Sequence, residues 1–318
     1  MSRSAIHWSG ANRERFVTIL NEALMRRLAK PMLFAAAMIW GSSFFMMKGA
    51  VDVIEPFFLL AIRFTGGAAL LALVSWKKWK MFTPDYLWRG AIIGGFLFAA
   101  YTAQTFGIQR TTPSNNAFLT AVYCVLVPFF YWAVMGKRPD RYNISAAVLC
   151  VAGVGLVSLN EGFSIGLGDT LTLVGAVFYA SHIVAVAKVS PERDITLLTV
   201  FQFAFAGLYA WVFGFLFQTP PTADIVNADF IIQMTYFIVM CTTVALSFQN
   251  IGQVWSDPAS ASIILSLESV FGVLFSVIFY GDKVTPRLLV GFALIFVAVV
   301  CSETKFAFLR KEKKGEAA

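Results

Sequence analysis

The sequence predicts an all-α integral membrane protein: ten transmembrane helices in two inverted-topology five-helix repeats. Three observations predict it. Of 318 residues, 58% are hydrophobic and only 14% charged, with a mean hydropathy of +0.72, which is more apolar surface than a soluble domain can bury. Ten segments each supply the roughly 17–25 mostly apolar residues that a bilayer-crossing helix needs. The second half of the chain also repeats the first. Gln104, Gly107, Pro113 and Gly136 fall on Gln249, Gly252, Pro258 and Gly281 at an offset of 145, while Trp40-Gly41-Ser42-Ser43 falls on Tyr179-Ala180-Ser181-His182 at 139.

In chain order, residues 1–30 form a polar lead. Phe16, Ile19, Leu20, Ala23, Leu24 and Leu28 recur at helical spacing, with Arg13, Arg15, Arg26 and Arg27 off that stripe. This is the pattern of a basic amphipathic helix lying on a membrane surface; a partly ordered tail is the alternative. No cleavable signal is expected, because no small-residue cleavage site follows the first apolar run. The first repeat occupies 31–165, with spans at 31–49, 56–76, 88–108, 113–135 and 142–159. The second occupies 166–305, with spans at 168–188, 195–218, 229–252, 258–280 and 286–304, and a basic tail closes the chain at 306–318. The connections are short and carry the turn residues, as from Gly136 to Asp140 and from Ser190 to Asp194. Cys124, Cys150, Cys241 and Cys301 all sit in apolar runs without metal or disulfide spacing, so they read as packed thiols.

Charge sets the expected orientation. Twenty of the 25 Lys and Arg residues lie in the lead, the tail and the connections on the N-terminal side. Only Arg110, Lys283 and Arg287 lie in connections on the other side, while Lys48 and Arg63 fall within apolar runs. The positive-inside rule then puts both termini in the cytoplasm of a cell (inner or plasma) membrane. The same distribution explains the net charge of +7 without a nucleic-acid partner. Five spans per repeat is an odd number, so the second copy enters the membrane from the opposite side. That plan recurs in secondary transporters, with the substrate bound near the midplane between the halves.

Specific segments carry a family resemblance. Ile39-Trp40-Gly41-Ser42-Ser43-Phe44, Arg63-Phe64, the run from Asn116-Ala117-Phe118-Leu119-Thr120 to Val127-Pro128, Ser266-Leu267-Glu268-Ser269-Val270-Phe271, and the ends Gly136-Lys137-Arg138 and Gly281-Asp282-Lys283 occur in this order. Together they resemble the drug/metabolite transporter superfamily, in particular its EamA family, over about residues 31–303. The chain departs from the family pattern at Ser269, where the family has Pro, and at Lys137 and Asp282, where it has Glu. The resemblance implies a secondary transporter, an exporter of amino acids or related metabolites.

Polar groups inside a membrane are costly and therefore need a reason. Glu268 lies about 15 Å along the ninth span, near the midplane. It reads either as a proton-coupling or cation-binding group, or as a carboxyl that hydrogen-bonds a neighbouring helix. Arg63 holds a substrate carboxylate or an acidic partner, or else snorkels to the headgroups; snorkelling is the expectation for Lys48. His182 relays protons or packs as a satisfied core histidine. Trp40, Tyr101, Tyr123 and Tyr179 are candidates for a ring-lined cavity suited to aromatic or cationic ligands. Ser42 and Gln202 are further cavity candidates, and Gln104 and Gln249 are gate candidates.

Other classes find little support. Gly166-Leu167-Gly168-Asp169 matches the G-x-G-D of intramembrane aspartyl proteases, but the preceding span has no second Asp to share a proton. Asp169 reads instead as a helix N-terminal residue. H-E-x-x-H and P-loop motifs are missing, so no enzyme activity, cofactor or metal is expected. A channel or passive pore is the alternative, though no repeated filter or charge ring supports it. The expected partners are a small-molecule substrate, the bilayer and, through Glu268, protons; the sequence leaves homo-oligomer formation open.

Overall fold

A computed structural model describes residues 10–136, 138–159, 165–255 and 258–305. The lead before Gly10, Lys137 and the basic tail from 306 onward lie outside the described residues. Every named element is helical: α1 (Gly10–Ala50), α2 (Pro56–Val74), α3 (Asp85–Ile108), α4 (Pro113–Thr120), α5 (Tyr123–Met135), α6 (Arg141–Ser158), α7 (Leu167–Val189), α8 (Ile195–Phe217), α9 (Ala228–Thr235), α10 (Ala245–Trp255), α11 (Pro258–Phe275) and α12 (Pro286–Thr304). Eight stretches are long and apolar enough to cross a membrane: Leu24–Ala50, Pro56–Val74, Asp85–Ile108, Pro113–Met135, Arg141–Ser158, Leu167–Val189, Ile195–Phe217 and Ala228–Gln249. Two shorter apolar helices, Ile264–Tyr280 and Pro286–Ser302, follow.

Three local features depart from the sequence expectation. The lead and the first span form one helix, because Pro31 sits inside α1 without ending it. The fourth span is broken: α4 stops at Thr120, and a tight turn through Ala121 and Val122, closed by Cys124 N→Ala121 O (3.1 Å), restarts it as α5. The eighth span is regular only at its ends, since Tyr236–Val244 between α9 and α10 is π-helical. The absent proline leaves α11 unbroken through Glu268, and Ser269 Oγ bonds back to Ser266 O at 2.8 Å.

The packing is pairwise. α2 lies along α8, α6 along α12, α3 along α7 and α8, and α1 along α10 and α11; α7 also meets α4 and α5. Turns cluster at two ends. At one end, Lys48 Nζ donates to the carbonyls of Ile108, Gln109 and Thr111 (2.7, 2.9 and 3.2 Å). Asp282 there accepts from Ser114 N (3.0 Å) and Ser276 Oγ (2.6 Å), and Thr111 donates to Asp169. Lys48 therefore caps the C-terminus of α3; it does not snorkel. At the opposite end, Lys78 pairs with Asp194 (2.9 Å), Arg193 with Asp85 (2.7 Å) and Lys305 with Asp140 (2.6 Å). Burial pushes the Asp194 carboxyl up, but the Lys78 ammonium and the Leu197 backbone N–H outweigh that and hold it below its usual value.

Gly136 (φ 74°) ends α5, and Gly281 (φ 80°) ends the π-helical stretch Ser276–Tyr280 that continues α11, both in the left-handed conformation that favours glycine. Gly153 does a different job, since a β-carbon there would lie 2.7 Å from Ile295 Cγ1 and 2.9 Å from Gly291 O on α12. Gly153→Val is expected to lower the melting temperature in detergent by several degrees, in line with the roughly 1–3 kcal/mol that overpacking costs. Gly155→Ala, where the nearest atom is Leu159 Cδ1 at 3.5 Å, is expected to leave it almost unchanged. Equal effects would contradict a close α6–α12 crossing.

Candidate functional site

The helices enclose a cavity of about 340 Å³, walled by α1, α2, α3, α4, α5, α7, α8, α10 and α11, with α6 and α12 outside it. It runs from Met47 and Ile108, beneath the Lys48 cap, to Val186 and Ile195 beside the α7–α8 turn. Its lining follows the internal repeat. At the offset of 139, Trp40, Ser43, Phe44, Met47 and Arg63 correspond to Tyr179, His182, Ile183, Val186 and Gln202. At 145, Tyr101, Gln104, Thr120 and Tyr123 correspond to Leu246, Gln249, Leu265 and Glu268. All of these residues line the cavity, so 18 of its 25 lining residues fall into nine repeat-related pairs.

Arg63 is 2% exposed. Its Nε donates to Thr242 Oγ1 at 2.9 Å and one terminal nitrogen reaches Tyr101 Oη at 3.4 Å. The guanidinium carbon sits 4.7 Å from the Tyr101 ring centre, 5.7 Å from that of Phe237 and 5.9 Å from that of Phe64. The π-helical stretch supplies Thr242, whose hydroxyl bonds to Phe237 O five residues back (2.8 Å). Its Cys241 carbonyl accepts from Trp40 Nε1 at 2.7 Å. The indole thereby ties α1 to the π-helical stretch.

From Arg63 a polar and aromatic arc crosses the cavity. The Tyr101 and Tyr179 rings lie 5.3 Å apart, and those of Tyr179 and Tyr123 lie 6.0 Å apart. Tyr179 Oη donates to Gln104 Oε1 (2.8 Å), and Gln104 Nε2 donates to Thr120 Oγ1 (2.9 Å). The arc ends at Glu268, which is 7% exposed and hydrogen-bonded to Tyr123, its own repeat counterpart. His182 bonds to Gln202, and its Nε2 has no partner among the described residues.

The sequence-predicted residues Trp40, Arg63, Tyr101, Gln104, Tyr123, Tyr179, His182, Gln202, Gln249 and Glu268 thus share one cavity. Ser42 stands apart: it bonds to Tyr236 Oη (2.6 Å) and is not in the lining. Sequence reasoning passed over Asn116, whose Nδ2 bonds to Thr172 Oγ1 at 2.7 Å, and Thr242. Asn116 was visible as a fully polar residue within an apolar span. Thr242 has no such signal, because threonine is common in membrane helices and only the π-helical register aims it at Arg63.

A ring-lined, solute-sized chamber inside an apolar helix bundle is what a membrane transport protein requires. Residues 28–159 and 166–304 each match the EamA-like transporter family, and the chain belongs to that family. It is 33% identical over 285 residues to an uncharacterized transporter of Archaeoglobus fulgidus, covering 88% of this chain and 87% of that one. It is also 28% identical over 156 residues to the uncharacterized inner membrane transporter YedA of Escherichia coli, covering 46% of this chain and 49% of that one. A solved crystal structure with 18% sequence identity shares the fold, with a TM-score of 0.64, covering 89% of this chain and 98% of the other.

Cys124 lines the cavity, whereas Cys150, Cys241 and Cys301 are buried away from it. A small membrane-permeant methanethiosulfonate is expected to label Cys124 first, and Cys124→Ala to remove that fast fraction, as read by intact-protein mass. Fast labelling that persists in the variant would contradict this placement of the chamber.

Proposed function

We propose that the protein is a secondary transporter that exports small metabolites, such as amino acids or related compounds, across the cell membrane by alternating access. The nine repeat-related pairs around one chamber carry this reading. They support a two-fold relation between residues 31–165 and 166–305 with the chamber on its axis. The helix contacts support it too. α3 against α7 has its counterpart in α10 against α1, and α11 against α1 in α4 and α5 against α7. The pairs α2–α8 and α6–α12 map onto themselves. Each half has five passes, so the relation inverts the second half, and ten passes leave both termini on the cytoplasmic side favoured by the Lys and Arg bias. Two halves related this way can exchange roles, giving two states of similar energy that open to opposite sides.

The Lys48 cap and the Asp282 bonds gather at one end of the chamber. Their repeat counterparts are Ala187 and Lys137, so the sequence does not repeat these groups at the opposite end. The clasp supports a resting state closed on the outer side. Gln104 and Gln249 line the chamber from related positions and act as gates in this reading. Glu268 and Tyr123 occupy one repeat position with different chemistry, which makes Glu268 the coupling site for protons.

Purified protein in proteoliposomes is expected to show saturable flux and counterflow, and a pH gradient is expected to drive net flux. Glu268→Gln should abolish the pH-driven component while leaving counterflow measurable. Unchanged pH-driven flux in a folded Glu268→Gln protein would remove Glu268 from coupling. Channel-sized conductance without saturation would replace the carrier with the pore reading.

A further inference from the structure

Arg63 is a buried cation with no acid paired to it among the described residues. A guanidinium has five N–H donors, and the structure gives it two hydrogen-bond partners, Thr242 and Tyr101. Three ring faces offset part of the desolvation, yet an uncompensated charge at this depth remains expensive. Glu268, the one acid in the lining, is engaged by Tyr123 at the other end of the arc. The repeat counterpart of Arg63 is the neutral Gln202, which is bonded to His182, so the chamber has one such pole and not two.

Resting on the carrier reading above, we propose that Arg63 is the anion subsite of the chamber and that the transported solute is a carboxylate, which supplies the counter-ion that no described residue provides. A single planar guanidinium matches a carboxylate through two parallel hydrogen bonds. A phosphate, carrying about −1.5 to −2 at neutral pH, would be poorly balanced, because among the described residues no lysine or second arginine lines the chamber. The rings of Trp40, Tyr101, Tyr123 and Tyr179 take the apolar body of the solute.

Three matched probes test this on the full-length protein in detergent: 3-phenylpropanoate, L-phenylalanine and phenethylamine, read by thermal shift and calorimetric titration. The two carboxylates are expected to raise the melting temperature saturably, and the amine is not. Arg63→Gln should weaken carboxylate binding at least tenfold, with Arg63→Lys retaining part of it. Preference for the amine, equal response to all three probes, no response to any, or unchanged affinity in a folded Arg63→Gln protein would each overturn the proposal. The wild-type comparison decides even if the variants fail to fold. Saturable counterflow of some other solute alongside a failed probe set would sink the anion subsite and leave the carrier intact. Conductance without saturation would sink the carrier whichever probe bound.

Discussion

Hydrocarbon offers no hydrogen-bond partners, and the rest of this structure follows from that constraint. Backbone groups are satisfied within helices, because irregular backbone facing lipid would leave several kcal/mol per group uncompensated. Side-chain polarity must then be paired between helices or turned into a shared interior space. The chain does both. Asn116, Thr172, Thr120 and Gln104 bond across α3, α4 and α7, while Arg63, Glu268 and His182 face the chamber. The π-helical stretch Tyr236–Val244 is tied back by the same rule, since Trp40, a cavity-lining side chain, donates its Nε1–H to the Cys241 carbonyl.

Duplication explains the scaffold, and departures from it explain the chemistry. Nine pairs of lining residues give the chamber a repeated shape, but the charges are not repeated. Arg63 faces a Gln202 counterpart, Glu268 a Tyr123 and His182 a Ser43. The backbone diverges at the same places. α4 breaks where α11 runs on, and α3 stays regular where its counterpart becomes π-helical and delivers Thr242 to Arg63. In the proposed carrier, a repeated frame with an unequal lining would let two states remain close in energy while the solute meets one chemically directed site.

Much of this was legible in the sequence, because composition and repeat offsets are strong signals. The apolar runs locate the helices to within a few residues, apart from α1, where the lead and the first span run on as one helix through Pro31. The offsets brought together residues as far apart as Trp40 and Tyr179. Ser42 and Ser43 are alike in sequence, and only the helix rotation turns Ser43 to the chamber and Ser42 to Tyr236. Lys48 was read as snorkelling because the carbonyls it caps come from an α3 end sixty residues away. The π-helical register and the Ala121–Val122 break are set by tertiary contacts, which no local pattern encodes.

The central claim is that one chamber opens alternately to the two sides. Spin labels at Val53 and Leu167, exposed on the clasped end, and at Arg138 and Glu192 on the opposite end, report it through paired distance distributions in nanodiscs with and without saturating 3-phenylpropanoate, or any solute that shows counterflow. The account predicts that one distance lengthens as the other shortens. Two distributions that stay fixed while solute crosses the membrane would contradict it.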